Sequence, residues 1–338
     1  MKRSQCTGAR AASSRQARLS IVRLNAIDRR LRWTIRCGCV WLALALWGGP
    51  EAARARAGAF DWAAVPEIHP GIQHAFVAVT DPRPMKINVL RVNLENARLR
   101  FHATGRHPDW GQAMAAYPEL TIRTGRQRTR DYLIARRAEG LNMVAAVNAS
   151  GWRPWNELSR WRKEIQPYPY ADQLGLTISD GVLVCESPGR PSLIFDRDGR
   201  PSLRLAPPNA SRADIRVAVS GQIFVLRNGK AEGRNTRAEP RTGYGLSADG
   251  RQVFLMTIDG RRTGYSEGAT HREVGEWLRH FGAWEGLNMD GGGSTTLVLL
   301  SPDQSRARIV NRPSGLWGAR AVGSNLGVYY EHPPQTVP

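Results

Sequence analysis

The sequence predicts an α+β fold, built as one strand-rich domain with a mixed sheet, several hairpins and few helices. Apolar runs of strand length fill most of the chain after Phe60. Four Asp-Gly or Asn-Gly pairs stand between such runs, as they do in tight hairpins. Helical periodicity is confined to two segments, so helices are expected to be the minor component.

The first half of the domain is predicted from its apolar runs. His74–Thr80 and Lys86–Thr104 have the composition of strands, and a polar stretch with weak periodicity, Gly105–Arg130, follows them. Met143–Asn148 is expected to be a short apolar strand. Trp152–Gln173 is predicted to be a long loop rich in aromatic residues and arginine. Its aromatic side chains either stack on sugar faces or pack the loop onto its own domain; they are Trp152, Trp155, Trp161, Tyr168 and Tyr170.

The second half is predicted to consist of hairpins, one helix and closing strands. The hairpin turns carry the signature of type I′ and lie at Asp180-Gly181, Asp198-Gly199, Asn228-Gly229 and Asp249-Gly250. A short helix is expected at Arg130–Ala138. A second helix starts at a capping box of Thr270 and Glu273 and presents an apolar stripe of Val274, Trp277, Leu278 and Phe281. Two further strands are expected within Ala307–Tyr330.

Residues 1–57 are predicted to be a leader rather than part of the fold. They are basic, and the apolar run Cys37–Trp47 is too short to span a bilayer but suits a secretory signal. Ala55-Arg56-Ala57 matches a cleavage site ahead of Gly58. We therefore expect a secreted or periplasmic protein with a single domain at 58–338. An uncleaved leader that anchors the chain to the membrane is the alternative.

Charge and cysteine content narrow the classes of partner. The leader holds twelve of the 48 basic and two of the 29 acidic residues, so the net charge falls from +19 to +9 without it. This moderate positive charge suits an anionic partner. Nucleic acid is not expected, because the chain has no Lys/Arg run, zinc-ligand pattern or aromatic RNA-binding segment. Cys185 alone follows the leader, which excludes an internal disulfide and a cysteine metal site.

The segment EGLNMDGGGSTTLVLL, Glu285–Leu300, places one carboxylate before three glycines. It is not a phosphate loop, because Gly292 stands where the lysine would be and a strand follows. A tight turn of this kind can direct backbone N–H groups at an anion, and Ser294 and Thr295 add hydroxyl donors. Asp290 either performs chemistry at the end of a buried strand or only caps the turn.

The pentapeptide EGLNM occurs at Glu139 and again at Glu285, each time after a helix and before a polar turn. Either the repeat is chance, or two short strands lie side by side and direct both turns at one site. The second interpretation predicts that the turn at Asn148–Gly151 meets the turn at Asp290–Gly293.

Several motifs together resemble the phosphodiester glycosidase family. They are LNMDGGGSTTLVL, MVAAVNASGW, PRTGYGLSADGRQVFLMTIDGR, IVNRPSG and RAVGSNLGVYY, which occur in the family's order over a core of about residues 75–330. One position departs from the family, whose Asn-Gly-Gly is here Asn148-Ala149-Ser150. The resemblance implies a hydrolase that cleaves a sugar-1-phosphodiester at the anomeric carbon, on a cell-envelope or extracellular glycan, and releases a phosphomonoester.

The residues expected to carry this reaction follow from the motifs. Asp290 is the expected nucleophile or base, Glu267 a second carboxylate, and Arg241 a bidentate clamp on the phosphate. Substrate contacts are expected from Asn148, Ser150, Thr242, Asp259, Gly291, Gly292, Gly293, Ser294 and Thr295.

Two alternatives remain open from the sequence. A non-catalytic periplasmic module that binds a phosphosugar or exopolysaccharide would use the same turn. No cofactor is expected, although Asp259, Asp290 and Glu267 carry the oxygen ligands that Ca²⁺ prefers, without a loop of recognised spacing.

Overall fold

The computed structural model describes residues 59–115, 117–153, 169–186, 189–206, 211–234, 236–315 and 318–331. The predicted leader lies outside these ranges, as do Trp155, Trp161 and Tyr168 of the aromatic loop. Among the described residues, no helix is both long and apolar enough to cross a membrane.

Short strands are the main regular structure of the described chain, and the strand-rich α+β class is confirmed. In chain order they are β1 (Glu67–His69), β2 (Ile72–Val79), β3 (Met85–Asn93), β4 (Leu99–Ala103), β5 (Ala113–Met114), β6 (Tyr117–Thr121), β7 (Thr124–Gly125), β8 (Asn142–Asn148), β9 (Trp152–Arg153), β10 (Tyr170–Gln173), β11 (Thr177–Ser179), β12 (Val182–Cys185), β13 (Pro191–Asp196), β14 (Pro201–Leu205), β15 (Ile215–Ser220), β16 (Ile223–Arg227), β17 (Lys230–Ala231), β18 (Arg241–Leu246), β19 (Gln252–Ile258), β20 (Glu285–Asn288), β21 (Leu297–Leu300), β22 (Ala307–Ile309) and β23 (Asn325–Tyr330). The helices are α1 (Thr129–Ala138) and α2 (His271–His280), and Gly292–Ser294 forms one 3₁₀ turn.

Three sheets hold most of the strands. The large sheet has the order β1-β2-β3-β19-β18-β20-β16-β17, the second sheet β22-β21-β8-β23-β4, and the third sheet β12-β11-β15-β13-β14. Each strand pair of the described chain is antiparallel, so these sheets are antiparallel rather than mixed. Many neighbouring strands are joined by hairpins, and such short connections are compatible only with antiparallel pairing.

The large and second sheets share one hydrophobic core. Tyr244 and Leu255 from the large sheet belong to the same buried cluster as Val147 and Val328 from the second sheet. On its other face, the large sheet packs against α2, whose Trp277 joins a separate cluster. Side chains of successive residues in β18 therefore point alternately toward the second sheet and toward α2.

The two predicted helices are confirmed. The first begins one residue earlier than expected, at Thr129. In the second, Thr270 accepts a hydrogen bond from the Glu273 N–H, and the Glu273 side chain accepts one from the Thr270 N–H, which completes the capping box. The predicted apolar stripe is buried. The polar stretch before α1, for which weak periodicity predicted no element, contains the short strands β5, β6 and β7.

All four predicted hairpins form, but only two have type I′ turns. Positive φ at both central residues occurs at Asp180-Gly181 and at Asn228-Gly229. In the other two hairpins only Gly199 and Gly250 have positive φ. The loop at Gly199 is one residue longer than a type I′ turn and the loop at Gly250 two residues longer. In each, the glycine N–H donates to the carbonyl three residues earlier, a geometry that needs positive φ only at glycine.

The EGLNM repeat was predicted to form two neighbouring strands, and that part is wrong. β8 begins within the first copy and lies in the second sheet, whereas β20 covers the first four residues of the second copy and lies in the large sheet. The turns after them nevertheless meet, because the Asp290 N–H donates to the Ala149 carbonyl at 3.0 Å.

Candidate active site

The ends of β8 and β20 meet around the backbone of Asp290. The Asp290 N–H donates to the Ala149 carbonyl, and the Asp290 carbonyl accepts from Nδ2 of Asn148 at 2.7 Å. The end of β8, in the second sheet, thus holds both backbone polar groups of the residue that follows β20 of the large sheet by two positions. The position of the Asp290 side chain is set by the packing of the sheets rather than by its own turn.

Asn148 organises this junction from inside the protein. Its Oδ1 accepts from the Thr242 hydroxyl at 2.8 Å and from the Thr296 N–H at 3.1 Å, while its carbonyl accepts from the Tyr244 hydroxyl at 2.9 Å. Asn148 and Thr242 are both fully buried. We expected them to contact substrate, but their polar atoms already bond within the protein. They position the strand ends instead.

Ser150 and Asp259, also expected to touch substrate, are likewise interior residues. The Ser150 hydroxyl accepts from the Ser220 N–H at 2.9 Å. The Asp259 carboxylate accepts from Asn311 Nδ2 at 3.1 Å and from the Arg312 N–H at 3.0 Å. Burial raises the pKa of Asp259, and these hydrogen bonds oppose the rise. Both residues hold neighbouring segments together.

The Asp290 carboxylate is different, because it is buried without a partner. The residue is 9% exposed, and its Oδ2 has no hydrogen-bond donor among the described residues. The hydroxyls of Thr295 and Thr296 and the Oδ1 of Asn288, close by in sequence, are also buried and unpaired. An unpaired buried polar group costs about 1–3 kcal/mol, and a charged one more, so a group of such atoms needs an explanation, and binding of a ligand or water supplies one.

Several backbone N–H groups of the glycine turn already donate hydrogen bonds to carbonyls of the protein. The N–H of Gly292 donates to the Pro240 carbonyl at 2.8 Å, and those of Ser294 and Thr295 donate to carbonyls within the turn at 3.2 Å. Only the N–H groups of Gly291 and Gly293 have no partner among the described residues. The expected row of anion-binding N–H groups is therefore reduced to two.

Close approach explains two of the glycines. A Cβ on Gly291 would lie 2.7 Å from the Pro240 carbonyl oxygen. Gly292 has φ +62°, and a Cβ there would lie 3.0 Å from Nη2 of Arg261. The guanidinium group of Arg261 thus lies against the turn at Gly292.

Arg241 does not occupy the predicted clamp position. Its Nε donates to the Ala269 carbonyl at 2.9 Å, its Nη1 lies 2.9 Å from Nε2 of His271, and its Nη2 donates to the Arg237 carbonyl at 3.0 Å. Thr242, the next residue of β18, faces Asn148, so Arg241 faces α2. Burial lowers the pKa of Arg241. Its guanidinium fastens the start of α2 rather than a ligand.

Two other arginines reach the glycine turn, and neither was assigned a role from the sequence. Arg261 donates from Nε to Glu239 at 2.5 Å, while its Nη1 and Nη2 have no hydrogen-bond partner among the described residues. Arg320 donates from Nη2 to the Ser294 hydroxyl. Arg261 ends the Asp-Gly-Arg motif, which was the available signal. Arg320 begins the motif RAVGSNLGVYY, so the same kind of signal was available for it.

Glu267, the expected second carboxylate, lies outside this junction. It is half-buried, and its N–H donates to the Pro84 carbonyl at 2.8 Å. No described contact joins it to Asp290 or to the glycine turn. Glu239 is the carboxylate that reaches the turn, through its bond to Arg261.

A metal site does not emerge from these acids. Over the ranges that the structure describes, His, Cys, Asp and Glu side chains do not gather in groups of three or more that could hold an ion. Asp259, Asp290 and Glu267 were considered as Ca²⁺ ligands, and they do not form such a group.

The fold and the site define a class of protein. It is a strand-rich α+β protein in which two packed sheets bring a buried carboxylate and two arginines to one glycine turn, and such an arrangement can hold an anionic substrate beside a carboxylate. The sequence profile of the phosphodiester glycosidase family matches residues 142–329, more than half of the chain. The chain belongs to this family of hydrolases.

Solved structures share the fold. The zebrafish N-acetylglucosamine-1-phosphodiester alpha-N-acetylglucosaminidase catalytic domain, auto-inhibited by its pro-peptide, is 18% identical with a TM-score of 0.56, over 80% of this chain and 87% of that one. A Burkholderia pseudomallei K96243 protein, named as a candidate exported protein, is 15% identical with a TM-score of 0.50, over 73% and 74% of the two chains. None of the curated proteins matches the chain.

Proposed function

We propose that the protein hydrolyses a sugar-1-phosphodiester at the anomeric carbon and releases the sugar and a phosphomonoester, with a cell-envelope or extracellular glycan as substrate. Membership of the phosphodiester glycosidase family supports the reaction class. The name of the zebrafish relative, which specifies an N-acetylglucosamine-1-phosphodiester, supports the type of bond.

The observation that carries the proposal is the unpaired Oδ2 of Asp290. A carboxylate that only caps a turn accepts hydrogen bonds from it, but this oxygen accepts none. In the proposed reaction the carboxylate acts at the anomeric carbon, either by attacking it or by taking a proton from water. Clamping of the Asp290 backbone by Asn148 and Ala149 would hold it in place for this step.

Arg261 and Arg320 take the role first assigned to Arg241. The leaving phosphate is a weak base and needs little protonation, so the site must mainly stabilise its negative charge. The Nη atoms of Arg261 lie at Gly292, and Arg320 reaches Ser294. Glu239 orients Arg261 by accepting from its Nε. The two unpaired turn N–H groups can add hydrogen bonds to the same phosphate.

The test is Asp290→Asn, assayed for sugar release from a panel of sugar-1-phosphodiesters. We expect hydrolysis to fall by about a thousandfold or more, because the amide can neither attack nor take a proton. Thermal stability should be unchanged or higher, since a buried unpaired charge is removed. Asp198→Asn, at an exposed hairpin, is the matched control.

Two outcomes would contradict the catalytic role. Turnover by Asp290→Asn at the wild-type rate would mean that Asp290 only shapes the turn. Binding of a phosphodiester by the wild-type protein with no sugar release from any member of the panel would favour the non-catalytic binding module.

Export is part of the proposal. The basic leader and its short apolar run support cleavage ahead of Gly58. Protein recovered from a periplasmic or extracellular fraction should have the intact mass of a chain that starts near Gly58. A mass that includes residues 1–57 would show that the leader is retained.

A further inference from the structure

A cavity of about 280 Å³ lies beside β7 and α1, and its described lining contains no carboxylate. A water molecule takes up about 30 Å³ in the liquid, so this space can hold a phosphate group together with the atoms that flank it. Side chains of the lining that can donate hydrogen bonds to an anion include Arg106, His107, Arg126, Gln127 and Arg136. None of them belongs to the catalytic proposal.

Arg106 is held at this cavity by contacts that use only part of its guanidinium group. The group lies 3.6 Å from the ring centroid of Trp110, and its Nε donates to the Leu183 carbonyl at 2.7 Å. The Trp110 ring is itself fixed, because its Nε1 donates to the Val184 carbonyl at 3.1 Å. Among the described residues, Nη1 and Nη2 of Arg106 have no hydrogen-bond partner. A planar guanidinium fixed in this way can present both atoms to an oxyanion.

Arg136 brings a second cation to the cavity from α1. Its Nη2 donates to Glu139, which does not line the cavity, and its Nε is buried with no hydrogen-bond partner among the described residues. Glu139 is exposed, so water screens its attraction for Arg136. Much of the positive charge of Arg136 therefore remains available to an anion in the cavity.

Neutral donors complete the lining. The Asp109 N–H donates to Nδ1 of His107 at 3.1 Å, so a neutral His107 ring carries its proton on Nε2. The Asp109 carboxylate also lies 3.5 Å from Nδ1, but it does not line the cavity. In the part of the chain that the structure describes, the Gln127 side-chain amide and the N–H groups of Gly105 and Arg106 have no acceptor. Charged and neutral donors without a lining carboxylate suit an oxyanion.

The cavity is joined to the proposed phosphate site at the glycine turn through Arg126 and Gln127. The guanidinium of Arg126 lies 5.0 Å from the Trp152 ring, and that of Arg320 lies 5.7 Å from the same ring. Burial and the neighbouring Arg320 lower the pKa of Arg126 to about 10. Gln127 exchanges two backbone hydrogen bonds, at 2.9 and 3.0 Å, with Val322, two residues after Arg320. Because Arg320 also reaches the glycine turn, a row of cations runs from that turn to the cavity.

We propose that this cavity binds a second phosphate group of the same substrate chain, so that the substrate is a polymer in which phosphodiesters repeat. The first phosphate then lies at the glycine turn, while the next phosphate along the chain lies among Arg106, Gln127 and Arg136. The cavity recognises this second phosphate rather than the alcohol that links the two. The inference rests on the proposed function for the position of the first phosphate. Two linked anionic groups held at two sites bind more tightly than either alone, because the second contact is intramolecular.

The first experiment measures occupancy of the cavity without catalysis. The full chain is treated briefly with the arginine reagent phenylglyoxal at low ionic strength, with and without inorganic pyrophosphate, and each modified arginine is followed by peptide mass spectrometry. We expect pyrophosphate to slow the modification of Arg106 by about fivefold or more, because a bound anion covers its Nη atoms. Modification of Arg200 and Arg251, which lie on exposed hairpins, should change by less than about twofold.

The second experiment compares kcat/KM for a single diester and a bis-phosphodiester of the same sugar, with ethylene glycol, glycerol or a hexose as the linking alcohol. With at least one linking alcohol, the bis-phosphodiester should be preferred by about tenfold or more. Arg106→Gln/Arg136→Gln should abolish this preference, and Arg200→Gln/Arg251→Gln, which removes the same charge elsewhere, should retain it. Gln127→Ala should reduce the preference even if the double variant at the cavity does not fold.

The outcomes separate this inference from the proposed reaction. Equal kcat/KM values for the two diesters with every linking alcohol would overturn it, and protection of Arg106 by pyrophosphate in that case would identify a free anion as the occupant. No protection of Arg106 would overturn it as well. If neither diester is hydrolysed but the bis-phosphodiester protects Arg106 more strongly than the single diester, the proposed reaction fails while the second phosphate site stands.

Discussion

The surroundings of Arg241 and Arg261 determine which of the two side chains is available to contact a phosphate. Both belong to the same sequence motif, at the two ends of the β18–β19 hairpin. The guanidinium of Arg241 donates to the carbonyls of Ala269 and Arg237. Both Nη groups of Arg261 instead lie at the glycine turn. The half-buried Arg241 guanidinium already donates to three oxygen acceptors and lies against His271, so little of it is left to grip a phosphate. The phosphate contact therefore moves from Arg241 to Arg261 in the proposed mechanism.

Lysine substitution separates these two roles. In Arg261→Lys we expect kcat/KM to fall tenfold or more with stability unchanged, because lysine cannot donate to Glu239 and a phosphate in the same planar arrangement. In Arg241→Lys we expect kcat/KM to stay within about threefold, while the free energy of unfolding falls by about 1–3 kcal/mol from lost hydrogen bonds. Steady-state kinetics and urea denaturation measure the two effects. The reverse pattern would restore Arg241 as the clamp.

At the scale of elements, α2 depends on a glycine for its approach to the large sheet. A Cβ on Gly275 would lie 1.9 Å from the Val225 carbonyl oxygen in β16. The helix therefore packs with its backbone almost on the strand, which brings its start to Arg241 and the Pro240 segment. The glycine here serves packing rather than backbone freedom.

Gly275→Ala tests that contact. Within an exposed helix this change would add about 1 kcal/mol of stability through helix propensity. Here we expect a loss of about 2–4 kcal/mol, because neither the strand backbone nor the helix can move without disturbing the core. Thermal or urea denaturation would measure it, with Arg272→Ala on the exposed face of α2 as a control expected to change stability by less than about 0.5 kcal/mol. A stabilised Gly275→Ala variant would show that α2 lies further from β16.

For the whole molecule, two half-buried histidines link stability to pH. Burial, helped by Arg136, lowers the pKa of His102 to about 4. Burial and the neighbouring Arg241 lower the pKa of His271 to about 4 as well. Both are ordinarily near 6.5 in an unfolded chain, so between these values the unfolded chain takes up protons that the fold does not.

Stability should accordingly be highest above about pH 6.5 and decline as the pH falls toward 4. After allowance for solvent screening, we expect the two groups to contribute a loss on the order of 2–3 kcal/mol, measured by urea denaturation across this range. In His271→Gln the decline should be shallower, because the amide oxygen can accept from Arg241 without titrating. An identical decline in wild type and variant would exclude His271 as a contributor.

The sequence by itself determined what depends on local bonding. The hairpins, the capping box of α2, the strand before Asp290 and the family motifs all express hydrogen bonds or periodicities within a few residues of one another, and these were predicted. The turn types at Gly199 and Gly250 were predicted incorrectly, because loop length depends on where the flanking strands stop pairing.

Only the tertiary structure decided which polar groups share the site. The face to which Arg241 points depends on which layer covers each side of the large sheet, and that layer comes from distant segments. Asn148 meets Asp290, and Arg320 meets Ser294, through the packing of separate sheets and loops rather than through spacing along the chain. Residue type and local pattern cannot reveal whether a buried oxygen has a donor, because the donor is supplied by another part of the fold.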